Sequence, residues 1–259
     1  MQRIVLIPFH FIIDFFEGLG RYTLLMLKMF RSIGSISAFY NRTLEQMVII
    51  GANSIPIVML TAFFSGMVTS VQSAYQITSS LIPPETIGSI VGESILLELA
   101  PVISALVLTG RVGATITAEI GTMRVTEQID ALESLSFDPV SFLILPRVVA
   151  GMIMFPILVV VADYCGIIGG WTSVVVDSDI NVTTYQFFNG FKQWFKVWDA
   201  WIGLIKSFFF GFAITSIACY HGYYTDGGAA GVGKSTTICV VSSCVAVVFI
   251  DYVLSSLLL

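Results

Sequence analysis

Residues 148–172 read VVAGMIMFPILVVVADYCGIIGGWT, and Asp163 is the only charged side chain in this apolar run. A membrane-spanning helix needs roughly 20 predominantly apolar residues, at about 1.5 Å each. Four other stretches of the chain meet the same requirement. The sequence therefore predicts five membrane-spanning helices, at about residues 47–71, 95–118, 148–172, 200–220 and 236–258.

The composition of the whole chain supports this prediction. Of its 259 residues, 56% are hydrophobic and only 11% are charged, and the mean hydropathy is +0.90. Soluble domains carry about 25% charged residues. The formal net charge of −5 gives no indication of nucleic-acid binding. The predicted fold class is an all-α integral membrane protein with the bilayer as its solvent.

Residues 1–45 differ from the rest of the chain because charged side chains are mixed with Phe, Leu and Ile. This pattern predicts an amphipathic region lying in the membrane interface. A sixth span is the competing interpretation. Five basic residues precede the first predicted span, and further basic residues lie in the second and third loops on the same side. The positive-inside rule then predicts a cytoplasmic N-terminus.

Small residues recur every four positions in the second predicted span, and an adjacent row of small residues runs beside them. Such rows lie along one helix face and allow another helix to approach closely. The face either packs within one bundle or lies at a dimer axis or moving interface. The candidate helix-packing residues are Gly110, Gly113, Thr117 and Gly121.

Residues 122–134 predict a short amphipathic helix after the second span. Val125, Ile129 and Leu132 form a narrow apolar stripe. The remaining circumference carries Arg124, Glu127, Asp130 and Glu133, and Asp138-Pro139 closes the segment. The helix is too short and too charged to span. It either lies on the membrane surface or docks into a groove of a cytoplasmic partner.

Besides Arg111, four charged residues fall within or at the mouth of predicted spans. They are Glu98, Asp163, Lys206 and Asp251. A charge at the bilayer centre costs about 2.5–3.5 kcal/mol on insertion scales, so each needs an explanation. Glu98 and Lys206 are the candidate substrate-cavity residues. Lys206 could attract a phosphate or pair with an acid, whereas Asp163 and Asp251 are better suited to pairing with buried polar groups.

One motif imitates a nucleotide site. Residues 228–235, GAAGVGKS, satisfy the P-loop pattern. A P-loop follows a buried strand in an α/β domain, whereas these residues are flanked by predicted spans. We therefore expect no ATPase site in this chain, no catalytic residues and no cofactor. His10 and His221 have no companion at metal-ligand spacing, so no metal site is predicted either.

Several linked motifs in residues 97–150 resemble the MlaE (YrbE-type) permease family. They include ELAP at 98–101, GRVGA at 110–114, AEIGTM at 118–123 and VTEQIDALE at 125–133. The resemblance continues more loosely to the last span and covers most of the chain beyond residue 45. Relatives commonly have Arg-Glu-Leu where this chain has Leu97 before Glu98, and Lys206 matches a lysine in their fourth span.

The resemblance implies the permease subunit of an ABC transporter that moves phospholipids or related lipids between the inner and outer membranes. It implies an inner-membrane homodimer in which each copy binds one cytoplasmic ATPase through residues 122–134. The implied further partners are an MCE-domain protein and, in some systems, a STAS-domain protein. Two alternatives remain: a secondary transporter driven by an ion gradient through Asp163, Lys206 and Asp251, and a membrane scaffold without a transport cycle.

Overall fold

The computed structural model describes residues 2–32, 40–77, 83–177 and 182–259, with side chains from Phe16 onward. All regular structure in these ranges is helical. The helices are α1 Gln2–Arg31, α2 Tyr40–Ile50, α3 Ile55–Gln76, α4 Thr86–Ser94, α5 Ser104–Leu108, α6 Ala114–Val125, α7 Gln128–Ser134, α8 Leu145–Val176, α9 Thr184–Trp194, α10 Val197–Tyr223 and α11 Gly228–Leu258. Three π-helical segments join or precede them, at Ile95–Ile103, Thr109–Gly113 and Val140–Ile144.

Within the described ranges, five continuous helical stretches are long and apolar enough to cross a membrane, which confirms the predicted number. The stretches extend beyond the predicted limits at almost every end. They are Tyr40–Gln76, Thr86–Val125, Val140–Val176, Val197–Tyr223 and Gly228–Leu258. We name the two ends of the bundle after the short helices found there. The α7 end is where α11 also begins, and the α9 end is where α4 begins.

Helix α8 lies in the middle of the bundle, between α3 on one side and α10 on the other. Its contact with α3 is a backbone-to-backbone approach, because a Cβ on Gly66 would overlap the carbonyl oxygen of Gly166. Lipid tails are as apolar as leucine, so close van der Waals contact of this kind is a main source of helix association in a membrane.

Helix α9 was not predicted and packs against α4 at the α9 end. Thr183 and Gln186 form a reciprocal capping box at its N-terminus. Asn189 Nδ2 donates to Glu85 Oε2 at 2.9 Å, which ties α9 to the turn before α4. The exposed Trp194 and Trp198 follow, as expected for an aromatic belt at a membrane interface.

Helix α1 occupies most of the predicted interfacial region as one continuous helix. Its inward face buries Leu25, Met26 and Met29. The charged residues from Phe16 onward are exposed: Glu17, Arg21, Lys28 and Arg31. Lys28 Nζ lies 3.0 Å from Asp138 Oδ1, in the loop after α7. Burial alone would raise the pKa of Asp138, but hydrogen bonds from Ser141 and Lys28 outweigh it and lower that pKa below its usual value.

Gly66→Ala is predicted to destabilise the bundle. The added methyl group would meet backbone rather than a movable side chain, so α3 and α8 must separate, at a cost of about 1–3 kcal/mol. Thermal unfolding in detergent measures the effect. Gly233→Ala is the matched control, because a Cβ there meets nothing within 4 Å. Equal melting temperatures for the two variants would contradict the close approach.

Docking of α1 is predicted to weaken at low pH. Because the folded-state pKa of Asp138 is lowered, its contribution is present above the unfolded value of about 3.9 and is lost as pH falls through the folded value. Hydrogen exchange of the amides in residues 20–31, corrected for intrinsic rates, measures the docking. We expect faster exchange below pH about 4 in the wild type and little pH dependence in Asp138→Asn. An identical pH dependence in both proteins would refute the role of Asp138.

Candidate functional site

Lys206 is the centre of a charged cluster where three spans meet. Its side chain is 0% exposed, and its Nζ lies 2.7 Å from Glu98 Oε1 and 3.0 Å from Asp251 Oδ1. The same ammonium donates to the carbonyl oxygen of Leu97 at 3.0 Å. An ammonium has three N–H donors, so three nearby oxygens match its bonding capacity.

Two features of the sequence place Lys206 against the second span. Pro101 has no N–H to offer the carbonyl of Leu97 four residues earlier, which leaves that oxygen available to the lysine. Gly203 lies one turn before Lys206, and a Cβ there would approach the Leu96 carbonyl oxygen to 2.5 Å. Pro101 and Gly203 thus allow α10 to approach the π-helical segment closely. Pro101 is part of the ELAP motif quoted above, whereas Gly203 was not singled out from the sequence.

Glu98 is the member of the cluster that reaches the surface. Its side chain is 44% exposed, against 0% for Lys206. Ser255 on α11 donates to Glu98 Oε1 at 3.3 Å. Asp163 is not part of this cluster, and within the described residues its buried Oδ1 has no hydrogen-bond partner. The structure therefore joins Glu98, Lys206 and Asp251 and leaves Asp163 apart.

Two apolar grooves open on the surface of the bundle. One, of about 520 Å³, lies between α3 and the π-helical segment that carries Glu98, and includes Phe64 and Leu99. The other, of about 820 Å³, lies between α1, α10 and α11, and includes Tyr22 and Phe249. Both are large enough and apolar enough to accept part of a hydrocarbon chain.

The predicted single helix over residues 122–134 is interrupted. Helix α6 continues to Val125, and α7 begins only at Gln128. Glu127 has φ +60°, in the left-handed region, so the chain turns at this residue. Val125 consequently belongs to the end of the second span, and only Ile129 and Leu132 of the predicted stripe lie on α7.

Helix α7 places its apolar side inward and its acidic side outward. Ile129 is fully buried and Leu132 half-buried, whereas Glu127, Asp130 and Glu133 are exposed. Arg124 pairs with Asp130 at 2.6 Å, and the Tyr223 hydroxyl donates to Glu133 at 3.4 Å. These two contacts attach α7 to the ends of the second span and of α10. Leu135 and Phe137 follow α7 and are exposed.

The small residues of the second span mostly pack within the chain. Thr117 donates to the carbonyl of Ala218 on α10 at 3.1 Å, in addition to Gly113 of its own helix. A Cβ on Gly113 or Gly121 would meet side chains of α10, of α11 or of the turn between them at 3.0–3.7 Å. Gly110 differs, because a Cβ there would meet nothing within 4 Å.

The P-loop-like residues are helical. Gly227 and Gly228 have positive φ and form the turn, and the remainder of the motif is the first part of α11. The motif follows the end of the membrane helix α10 rather than a buried strand, so it lacks the strand, loop and helix arrangement in which a P-loop surrounds a phosphate. Among the described residues His221 lies beside Ser242 at 3.2 Å, and no cluster suited to a metal is present. The side chain of His10 lies outside the described residues.

Neutralising both acids of the cluster is predicted to cost more than the sum of the single changes. Glu98→Gln and Asp251→Asn each leave Lys206 one counter-ion, whereas the double variant leaves a buried cation with none. We expect a coupling free energy of about 1–3 kcal/mol in a double-mutant cycle of thermal or denaturant unfolding. Glu127→Gln, an exposed carboxylate, provides the control. Additive effects of the two changes would contradict the cluster.

Comparison with known proteins agrees with this architecture. The family model described as "Permease MlaE" matches residues 43–257. A probable ABC transporter permease protein of Rickettsia bellii is 39% identical over 241 residues, covering 93% of this chain and 92% of that protein. The intermembrane phospholipid transport system permease protein MlaE of Haemophilus influenzae is 33% identical over 250 residues, covering 95% and 94%.

A plant relative is similar over the same region. The chloroplastic protein TRIGALACTOSYLDIACYLGLYCEROL 1 of Arabidopsis thaliana is 36% identical over 217 residues, covering 84% of this chain and 61% of that protein. The five spans and these similarities identify a multi-pass inner-membrane transport subunit of the ABC permease class, which carries no ATPase site of its own. The chain belongs to the MlaE permease family.

Proposed function

We propose that this chain is the membrane subunit through which a separate ATPase drives the movement of phospholipids or related lipids between the inner and outer membranes. The observation that carries the proposal is Glu98, a half-exposed carboxylate on the same π-helical segment whose Leu99 and Ile103 line an apolar groove of about 520 Å³. A carboxylate and an apolar groove on one segment match a molecule with a charged headgroup and hydrocarbon chains. The Haemophilus relative is named for phospholipid transport.

Within this proposal, Lys206 has a structural task rather than direct contact with a headgroup. Its ammonium is enclosed and lies close to three oxygens, so it offers no free donor to a phosphate. Glu98 is the residue of the cluster that meets the substrate. The negative charge that it presents favours contact with a cationic part of a lipid headgroup.

Helix α7 is the proposed contact with the ATPase. Its outward side presents Glu127, Asp130 and Glu133, and the exposed Leu135 and Phe137 follow it. An acidic surface beside exposed apolar side chains fits a groove with basic rims on a partner. Arg124 and Tyr223 connect α7 to the second span and α10, so displacement of α7 reaches both spans.

The orientation follows from the distribution of Lys and Arg. Arg124, Arg147 and Lys234 lie at the α7 end, whereas Lys192 and Lys196 lie at the α9 end. With the α7 end in the cytoplasm, the N-terminus is cytoplasmic and α1 lies in that interface. An MCE-domain protein would then meet the α9 end, and a STAS-domain protein would act on the ATPase.

A homodimer accounts for the exposure of α11. In the apolar 18-residue stretch of α11, only 17% of the residues are buried within one chain, whereas 67% are buried in the corresponding stretch of α10. Two copies facing each other through α11 and the second span would enclose an apolar cavity with Glu98 at its rim. Gly110 is exposed, and a Cβ there would meet nothing within 4 Å among the described residues, which leaves room for a close approach on this side.

An ion-driven secondary transporter is less well supported. Lys206 and Asp251 neutralise each other, and Asp163 has no ion-pair partner within the described residues. These charges do not form a chain of neighbouring sites, which a proton or ion path requires. A scaffold without a transport cycle gives no reason for an exposed Glu98 on the segment that lines an apolar groove.

Reversal of the acidic side of α7 is predicted to uncouple the complex. Glu127→Lys combined with Asp130→Lys replaces two exposed negative charges by positive ones, and like charges facing a basic partner cost several kcal/mol. We expect at least about tenfold less co-purifying ATPase and loss of ATP-dependent lipid movement. Glu93→Lys, an exposed reversal near the α9 end, should leave both unchanged. Undiminished ATPase binding and transport in the double variant would reject this role for α7.

A further inference from the structure

A polar pocket lies toward the α7 end of the bundle, separate from the Lys206 cluster and from the two apolar grooves. It has a volume of about 180 Å³ and lies between α2 and the second span. Its polar lining residues are Gln46, Asn53, Arg111, Thr115 and Glu119. One water needs only about 10–15 Å³ of a cavity measured in this way, so the pocket has room for a larger polar group.

Two polar atoms in this pocket are buried without a hydrogen-bond partner. They are Arg111 Nη1 and Gln46 Oε1. The described residues provide no ion pair to Arg111. Glu119 also lines the pocket, but its Oε2 pairs with the buried Arg147 at 3.1 Å. Arg111, Arg147 and Glu119 together carry one excess positive charge, and leaving a buried donor such as Arg111 Nη1 without an acceptor is unfavourable.

Irregular backbone on both sides produces the pocket. Arg111 lies within the π-helical segment Thr109–Gly113, a type of irregularity that is frequent at functional sites. On the opposite side, α2 ends at Ile50 and a 3₁₀ turn at Ala52–Ser54 precedes α3. Gly51 permits this break close to α8, because a Cβ there would overlap Met154. Two facing helices therefore both depart from regular geometry at the pocket.

We propose that this pocket binds a phosphate group, with Arg111 as its charged donor and Gln46 as a second ligand. A guanidinium is the side chain best suited to phosphate oxygens, and the Gln46 amide can turn its NH₂ toward the ligand. Gln46 lies immediately before the first predicted apolar run, at about the level of lipid headgroups, whereas Arg111 lies within the second span, so the pocket reaches from the headgroup level into the bilayer. The inference rests on the proposed function for its location in the membrane, but it assigns a site apart from Glu98.

Two sources can supply the phosphate: the diester of a phospholipid in the leaflet at the α7 end, or free phosphate. Native mass spectrometry of the full chain, purified in mild detergent and titrated with phosphatidylglycerol, measures lipid bound per protomer. Inorganic phosphate is the competitor that identifies the free source. Diacylglycerol, with the same acyl chains and no phosphate, is the control lipid.

The expected result is about tenfold or greater weakening of phosphatidylglycerol binding in Arg111→Gln, from the loss of a charge-assisted hydrogen bond. Gln46→Glu supplies an internal carboxylate to Arg111 and should weaken binding as much while matching or exceeding the wild-type melting temperature. This second variant separates loss of the ligand from loss of folding. Lys234→Gln, which removes an exposed cation at the same end, should stay within about twofold of the wild type.

Three results would overturn the inference. Unchanged lipid binding in both pocket variants is the first, and equal dependence of diacylglycerol binding on Arg111 is the second. The third is a change in dimerisation without a change in lipid binding, which would assign the partner of Arg111 to a second copy of the chain. Full displacement by inorganic phosphate would retain the site and identify free phosphate as its ligand.

ATP-dependent lipid movement, measured in parallel, separates this inference from the proposed function. If the wild-type complex moves no lipid while binding still depends on Arg111, the proposed function fails and the pocket stands. If lipid movement is intact and binding is independent of Arg111, the pocket alone is refuted.

Discussion

A fully enclosed ammonium in a membrane bundle must be surrounded by oxygen atoms, and Lys206 shows how this chain meets that requirement. The carbonyl of Leu97, from which Pro101 withholds the α-helical donor four residues on, supplies one oxygen, and Glu98 and Asp251 supply the others. Three spans are therefore held in one register by a single side chain. The same contact fixes the position of Glu98, which is the charged group available to a substrate.

The second span and α10 connect the two ends of the molecule. Near the Lys206 cluster they meet through Leu97, and toward the α7 end Thr117 donates to the carbonyl of Ala218. Helix α7 is attached to the same pair through Arg124 and Tyr223. If an ATPase displaces α7, this pair of packed helices, joined by the hydrogen bonds at Leu97 and Thr117, provides a route to Glu98. Such a route is a physical basis for coupling, whose test is the reversal of charge on α7.

The sequence predicted the features that depend on local composition. Five apolar runs were enough to predict five spanning helices. Backbone N–H and C=O groups find no hydrogen-bond partner in lipid, so an apolar run of this length must form a helix to pair them internally. The sequence alone could not identify the partners of Lys206, because Leu97 and Glu98 are more than 100 residues away along the chain. The break at Glu127 was also unpredictable, because a non-glycine residue with positive φ has no reliable sequence pattern. By contrast, α9 could have been found from Thr183 and Gln186, which form a recognisable capping box.

Reconstitution gives the most direct measurement of the central claim that a separate motor moves lipid through this chain. The chain and its ATPase would be placed in donor vesicles carrying labelled phospholipid, and the appearance of label in acceptor vesicles would be followed with and without ATP. The account predicts movement that requires both subunits and ATP and is insensitive to collapse of the proton gradient. Movement driven by a proton gradient in vesicles containing the chain alone would contradict it.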